Sequence, residues 1–257
     1  MYILIFLASQ LSAGVIPFVV PALGGQQVTY EWTLVMALFF ANLLAILLFF
    51  CYRPQCITWK NTMAGFKGRA GHRTLLTFLL AIPLIFLVNL AQEAFFPNLP
   101  NLVGDETMKA IMYNPLGLVT VSIIGPLAEE LLFRGGLQTD FQDKYSTQGA
   151  VVAIGLSAGF FSLIHLNPAQ MPAAFILGCA LGFAYWWTES LVAPILIHVF
   201  NNSFACIMSL LSPDDDSLIH FLGGPSSAGI VAIVCLFFLI IVLRAVRKEG
   251  LFGTEKG

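Results

Sequence analysis

Two glutamates and an arginine lie close together in an apolar stretch, GPLAEELLFRGG, at residues 125–136. An ionisable side chain at the centre of a membrane costs about 2.5 to 3.5 kcal/mol on insertion scales, so each such residue is a functional candidate. Helix periodicity places Glu130 and Arg134 on one face and rotates Glu129 by about 100°. We therefore expect Glu130 and Arg134 to form a structural ion pair. Glu129 has no such partner and is a candidate general base, or else a carboxylate that only binds water or another helix.

Two further segments carry polar side chains four residues apart. Phe161 and His165 share a helix face in FSLIH, and His198 and Asn202 share one in HVFNN. A lone histidine in a membrane helix is more often an interhelical hydrogen-bonding residue than a catalyst. Three separate segments with such groups favour one shared site. Asn201 is also present, but its spacing from His198 is less suitable than that of Asn202.

Pro126 precedes the glutamates and has no backbone N–H, so it interrupts the helical hydrogen bonding there. Carbonyl groups freed in this way must face protein or water inside a membrane. We expect a water-accessible cavity beside Glu129.

The elements that position these residues are membrane helices. Of the 257 residues, 58% are hydrophobic and 10% are charged, and several apolar runs are long enough to cross a hydrocarbon core. We predict one all-α, polytopic integral membrane domain over residues 1–257. The runs between polar breaks give eight spans, at about residues 3–23, 31–52, 74–92, 112–134, 148–165, 169–187, 190–211 and 227–246.

The basic residues indicate an orientation. Eleven of the twelve fall on one side of the eight-span arrangement when Arg134 is counted with the connection that follows span four. Because basic connections stay in the cytoplasm, we expect both termini there, with the site opening to the same side. The net charge is −2 and no basic tract is present, which excludes a nucleic-acid partner.

Three further features of the sequence concern the N-terminus, the cysteines and the small residues. The N-terminus lacks the basic region of a signal peptide, so we interpret it as a first membrane helix. The five cysteines show no zinc spacing and are interpreted as unpaired. Small residues at spacing four should let spans five and six approach a neighbour closely: Gly155 and Gly159, and Ala174, Gly178 and Gly182.

The ordered motifs EELLFR, FSLIH and HVFNN, each on its own span, resemble those of the CPBP family. This family comprises CAAX prenyl endopeptidases of the Ras-converting type and bacterial proteases linked to bacteriocin immunity and processing. The resemblance covers about residues 112–205, the expected catalytic segment. It implies that Glu129 activates water, that His165 helps to position that water, and that His198 and Asn202 stabilise the oxyanion. Glu130 and Arg134 match the family's ion pair.

A zinc site is the chemical alternative, because Glu129, His165 and His198 could bind zinc with an open fourth position. A carboxamide such as that of Asn202 is an unusual zinc ligand and suits an oxyanion hole. We therefore predict no metal and no other cofactor.

The sequence thus predicts an intramembrane endopeptidase for membrane-associated peptides, including lipidated, CAAX-like ones. Its expected partners are the lipid bilayer and a peptide or lipopeptide substrate, and its expected location is the plasma membrane. The sequence does not indicate an oligomeric state. The alternatives are a non-enzymatic scaffold or bacteriocin-immunity protein, and a proton-coupled transporter.

Overall fold

A computed structural model describes residues 2, 4–5, 30–53, 65–102, 105–145, 149–212 and 217–250. Within these residues the chain forms helices and no strand. Three of the helices are short: α3 (Asp105–Met112), α5 (Ala150–Leu163) and α8 (Leu218–Phe221). The six others are long and apolar enough to cross a membrane: α1 (Tyr30–Tyr52), α2 (Gly68–Phe95), α4 (Pro115–Lys144), α6 (Met171–Thr188), α7 (Val192–Leu211) and α9 (Pro225–Lys248). The protein is therefore an all-α, multi-pass membrane protein, as predicted.

The predicted spans that fall on described residues agree with the helices except at spans four and five. The first predicted span, 3–23, lies outside the described residues apart from Tyr2, Leu4 and Ile5. Span four was predicted to end at residue 134, but α4 continues to Lys144. Arg134 is fully buried within that helix. It therefore does not belong to a connection and does not count toward the orientation.

Helix α4 contains two segments with the wider, π-helical hydrogen bonding, Thr120–Ile124 and Leu131–Gln138. Between them, the α-helical turn Gly125–Glu130 holds Pro126 and both glutamates. The Gly125 N–H donates to the Thr120 carbonyl, five residues back. The Val121 carbonyl therefore loses its α-helical donor, and its π-helical donor would be Pro126, which has none. This carbonyl is left without a backbone donor, and a freed carbonyl near Pro126 is what the sequence predicted.

Helix α5 is shorter than the span predicted at 148–165. Its 14 residues correspond to about 21 Å, against a hydrocarbon core of about 30 Å. Leu166 then adopts a left-handed conformation, with φ of 49°, and Pro168 follows. Asn167 holds the connection in place, since its side chain donates to Asn101 Oδ1 and accepts from the Leu102 N–H.

Close helix contact involves the glycines of α6 rather than those of α5. A Cβ atom at Gly178 would lie 3.1 Å from the Cα of Ala158, and one at Gly182 would lie 2.8 Å from Gln138 Oε1. The prediction of close approach is confirmed for these two residues. It is wrong for Gly155 and Gly159, where an added Cβ would meet open space.

The cysteines with a described structure carry free thiols, as expected. They are Cys51, Cys179, Cys206 and Cys235. Cys56 lies outside the described residues.

Candidate active site

Glu130 and Arg134 form a fully buried ion pair in α4. Arg134 Nη1 donates to Glu130 Oε1 over 2.9 Å, and neither side chain is exposed. Arg134 Nη2 also donates to the carbonyl of Gly178 in α6, over 3.0 Å. The guanidinium lies over the ring of Phe161, 4.6 Å from its centroid. The predicted pair is present, and it joins α4 to both α5 and α6.

His198 lies between the two glutamates. Its Nδ1 is 2.7 Å from Glu130 Oε1, and its Nε2 is 3.7 Å from Glu129 Oε2. A carboxylate paired with arginine can only accept, so Nδ1 carries the proton of this hydrogen bond. Nε2 then donates only when the imidazole is protonated. Residue spacing could not predict this link between His198 and Glu130, because it joins residues 68 positions apart.

Phe161 packs against both histidines. Its ring meets His165 and His198 edge-on, with centroid distances of 5.0 and 5.5 Å. His165 Nδ1 lies 2.8 Å from the Phe161 carbonyl, which can only accept, so Nδ1 is protonated. Nε2 of a neutral His165 is therefore an acceptor. Phe161 was known from the sequence only as a motif position, and its complete burial explains why that position is aromatic.

Asn202 satisfies the carbonyl that Pro126 leaves without a donor. Its Nδ2 donates to the Val121 carbonyl over 3.0 Å, and its Oδ1 accepts from Asn201 Nδ2 over 3.0 Å. One N–H of the Asn202 amide remains for another acceptor, because a carboxamide has two. The two asparagines thus act together.

Two cavities meet at this group of residues. The larger has a volume of about 510 Å³ and is lined by Glu129, His165, His198, Asn201 and Asn202. The smaller has a volume of about 250 Å³ and shares Glu129, His165 and Asn202 with it. Glu129 is 18% exposed, whereas Glu130 is fully buried. The expected cavity beside Glu129 is therefore present.

The sequence did not single out the other carboxamides that line the two cavities. Asn89 and Gln92 of α2 line the larger one, and Asn42 of α1 lines the smaller one. A lone carboxamide inside an apolar helix was the available signal, because burying it unpaired is unfavourable. Asn42 and Asn89 each donate to a carbonyl of their own helix, four residues back.

The larger cavity does not open toward the basic ends of the helices. Its outer lining includes Gln92 near the end of α2, Gln170 before α6 and Ser209 near the end of α7. Basic residues lie at the opposite end of the bundle, as Lys67 and Arg69 do at the start of α2 and Lys248 does at the end of α9. The described lining therefore lies on the side opposite to the predicted opening.

Within the described part of the chain, no three His, Cys, Asp or Glu side chains converge as a metal-ligand set. The Asn202 amide donates a hydrogen bond to the Val121 carbonyl and is not positioned as a metal ligand. Metal-free chemistry stays a prediction.

The helices that hold this site match a known family. Residues 112–204 match the family described as Type II CAAX prenyl endopeptidase Rce1-like. This segment is similar to that family. It runs from the end of α3 into α7 and includes Glu129, Glu130, Arg134, His165, His198 and Asn202.

Two bacterial proteins are similar to part of the chain. The membrane-embedded CAAX protease MroQ of Staphylococcus aureus is 35% identical over 118 residues, which are 44% of this chain and 48% of MroQ. YdiL of Bacillus subtilis, named as a candidate membrane peptidase, is 29% identical over 96 residues, which are 37% of this chain and 38% of YdiL. The chain thus spans about half or less of either relative. No solved structure gives a significant match.

Proposed function

We propose that the protein is a membrane-embedded endopeptidase in which Glu129 activates water for attack on a peptide bond. The observation that carries this proposal is the different surroundings of two adjacent glutamates. Glu130 is enclosed by Arg134 and His198, whereas Glu129 faces the cavity. Among the described lining residues, Glu129 is the one carboxylate in either cavity. The Rce1-like segment and the names of both relatives support the same class of activity.

The water is held between a base and an acceptor. Glu129 takes one of its protons as the water oxygen attacks the carbonyl carbon of the peptide. His165 Nε2 accepts the other O–H, because its Nδ1 proton is engaged with Phe161. When the tetrahedral intermediate collapses, the C–N bond breaks and protonated Glu129 returns its proton to the leaving amine.

The oxyanion is stabilised by Asn202 and His198. Asn202 offers the N–H that is not used on Val121. His198 offers Nε2–H when its imidazole is protonated, because Nδ1 already donates to Glu130 and Nε2 points toward Glu129. Donors held rigidly in a poorly solvated site are the effective kind of oxyanion stabilisation.

The substrate is a membrane-associated peptide that is apolar near its cleavage site. The larger cavity is lined mostly by aliphatic side chains, such as Leu84, Ile85 and Leu177. A lipidated or CAAX-like peptide suits this apolar lining. The name of MroQ as a CAAX protease supports the same class of substrate. The basic residues at the start of α2 and the end of α9 support an orientation with both termini in the cytoplasm. Both relatives are bacterial, which supports a bacterial plasma membrane as the location.

Cleavage of a quenched lipopeptide library by the purified protein tests this function. Glu129→Gln keeps the volume of the side chain and removes the base, so activity should fall by about 10² to 10⁴. Its thermal unfolding temperature should stay near that of the unchanged protein. Glu249→Gln is the matched control, since Glu249 lies at the far end of α9 and lines neither cavity. It should retain full activity.

Two results would contradict this proposal. Full activity in Glu129→Gln would remove Glu129 from the role of base. A folded protein that cleaves no member of the library would favour the scaffold or transporter alternatives.

A further inference from the structure

The larger cavity lies in one half of the bundle, at the ends of the helices away from the basic residues. It is lined by the second half of α2, the first half of α6 and the second half of α7. Met108 of α3 and Leu218 of α8, both in segments that connect the long helices, also line it. The cavity therefore opens where α2 ends, α6 begins and α7 ends.

The other half of the bundle is closed by packed side chains. Ala81 and Ile85 of α2 pack with Leu181 of α6 and Ile197 of α7 below the cavity. Nearer the basic ends, Leu76 and Trp187 pack with Val242 and Val246 of α9. Arg73 lies over the Trp187 ring, 5.2 Å from its centroid, and donates to the Trp187 carbonyl over 2.9 Å. These layers separate the site from the basic side.

We propose that substrate reaches Glu129 from the non-cytoplasmic side of the membrane. The basic residues at the closed ends, which include Lys67, Arg69, Arg244, Arg247 and Lys248, belong in the cytoplasm. The open end of the cavity then faces away from it. The inference rests on the proposed function and narrows its substrates to peptides that are exposed outside the cytoplasm or enter the membrane from there.

The lining also selects an uncharged peptide segment. Its polar groups, apart from Glu129 and the two histidines, are carboxamides and a hydroxyl, and no lysine or arginine is among the described lining residues. Gln92 is fixed at the rim, because its Nε2 donates to the Ala169 carbonyl and its Oε1 accepts from the Ala173 N–H. An acidic side chain entering the cavity would lose hydration without gaining an ion pair, and a basic one could pair only with Glu129, the proposed base. Residues next to the cleaved bond should therefore be uncharged.

Vesicles of defined orientation test the side of access without requiring cleavage. Ser209→Cys places a thiol in the cavity lining, and Lys248→Cys places one on the exposed end of α9. A membrane-impermeant maleimide is added to right-side-out or inverted vesicles, and mass spectrometry identifies the labelled residue, so the native cysteines stay in place. The thiol of Ser209→Cys should be labelled in right-side-out vesicles and remain unlabelled in inverted ones until detergent is added. The thiol of Lys248→Cys should show the reverse.

A lipopeptide from the library that carries an impermeant charged tag far from its cleavage site gives the second measurement. The unchanged protein should cleave it in right-side-out vesicles, and inverted vesicles should cleave it only after detergent. Labelling of both cysteines from the same side, labelling with the two sides exchanged, or cleavage by intact inverted vesicles would each overturn the inference. An absence of cleavage even in detergent, with the labelling as expected, would instead count against the proposed function alone.

Discussion

Glu129 and Glu130 are neighbours in sequence, yet they have different partners. The carboxylate of Glu130 accepts from Arg134 and His198 in a fully buried position, and Glu129 faces His198 across 3.7 Å at the cavity wall. Helix rotation of about 100° per residue is sufficient to separate them in this way. Substitutions at the two positions should therefore have different consequences.

Glu130→Gln should reduce stability. It removes the carboxylate from a buried Arg134, and breaking such a pair costs about 3 to 5 kcal/mol. Thermal unfolding in detergent should show a lower midpoint, and membrane accumulation should fall. Adding Arg134→Met should partly restore the midpoint, because no unpaired charge remains.

The Arg134→Met substitution also serves as a control for the Glu129→Gln variant. Arg134→Met should restore no activity to Glu129→Gln, since that variant has an intact ion pair. If Glu130→Gln proved fully stable and yet inactive, the assigned roles of the two carboxylates would have to be exchanged.

Metal dependence is predicted to be absent. If Glu129 acts as an unaided base, cleavage should persist after treatment with a strong chelator, and elemental analysis should find less than one zinc per chain. Stoichiometric zinc that is lost together with activity would support the zinc alternative with Glu129, His165 and His198 as ligands.

Much of this residue-scale arrangement was predictable, because spacings of three and four residues define a helix face. That rule identified the Glu130–Arg134 pair. It could not predict the hydrogen bond from His198 to Glu130, which depends on how α7 packs against α4. Nor could it predict that Asn202 would bond to Val121.

Helix α4 is attached to α6 by two side chains one turn apart. Arg134 donates to the Gly178 carbonyl, and Gln138 Nε2 donates to the Gly182 carbonyl over 2.9 Å. Both acceptors belong to glycines, where no side chain separates the donor from the backbone. The small residues of α6 therefore permit polar contacts between helices in addition to close packing.

Gly178→Ala should destabilise the protein. The added methyl group would lie 3.1 Å from backbone and side-chain atoms of Ala158 and 3.2 Å from Phe161. Such overpacking costs about 1 to 3 kcal/mol. The measurement is the midpoint of thermal unfolding in detergent.

Gly155→Ala is the matched control. An added methyl group there meets open space, and alanine is favoured over glycine within a helix by about 1 kcal/mol. Its midpoint should be equal to or above that of the unchanged protein. A similar decrease in both variants would show that the close approach at Gly178 is unimportant.

The positions of the long helices followed from the apolar runs, because a membrane span needs about 20 such residues. The end of α4 did not, since the polar residues around Arg134 resemble a connection when they are read in sequence. They are helical because Glu130, Gly178 and Phe161 satisfy the arginine inside the bundle. The early end of α5 at Leu163 was also missed, although Asn167 and Pro168 were visible.

At the scale of the whole molecule, α9 is the most exposed of the six described membrane spans. Only 11% of its most apolar window is buried within the protein. Ile233 and Phe237, near the middle of the helix, are 68% and 66% exposed. Their burial depends on the bilayer rather than on the remainder of the chain.

Phe237→Lys should impair membrane integration. A lysine at the centre of a membrane helix costs about 2.5 to 3.5 kcal/mol, and phenylalanine is favourable there. The fraction of protein that resists alkaline extraction from membranes should fall. Phe237→Leu is the control and should integrate normally, while normal integration of the lysine variant would place residue 237 outside the hydrocarbon region.

The π-helical turns of α4 also determine where the protein can tolerate the deletion of a residue. A π-helical turn holds one residue more than an α-helical turn. Loss of a single residue between positions 131 and 138 would let the segment close as an α-helical turn with one residue fewer, so the helix after it would keep nearly the same rotation. Gln138 would then still face Gly182, and Asp140 would still face Arg53, to which it is now hydrogen-bonded. Glu129 and Glu130, which precede the deletion, would keep their positions, so this segment offers a place where the chain can shorten without moving the carboxylates.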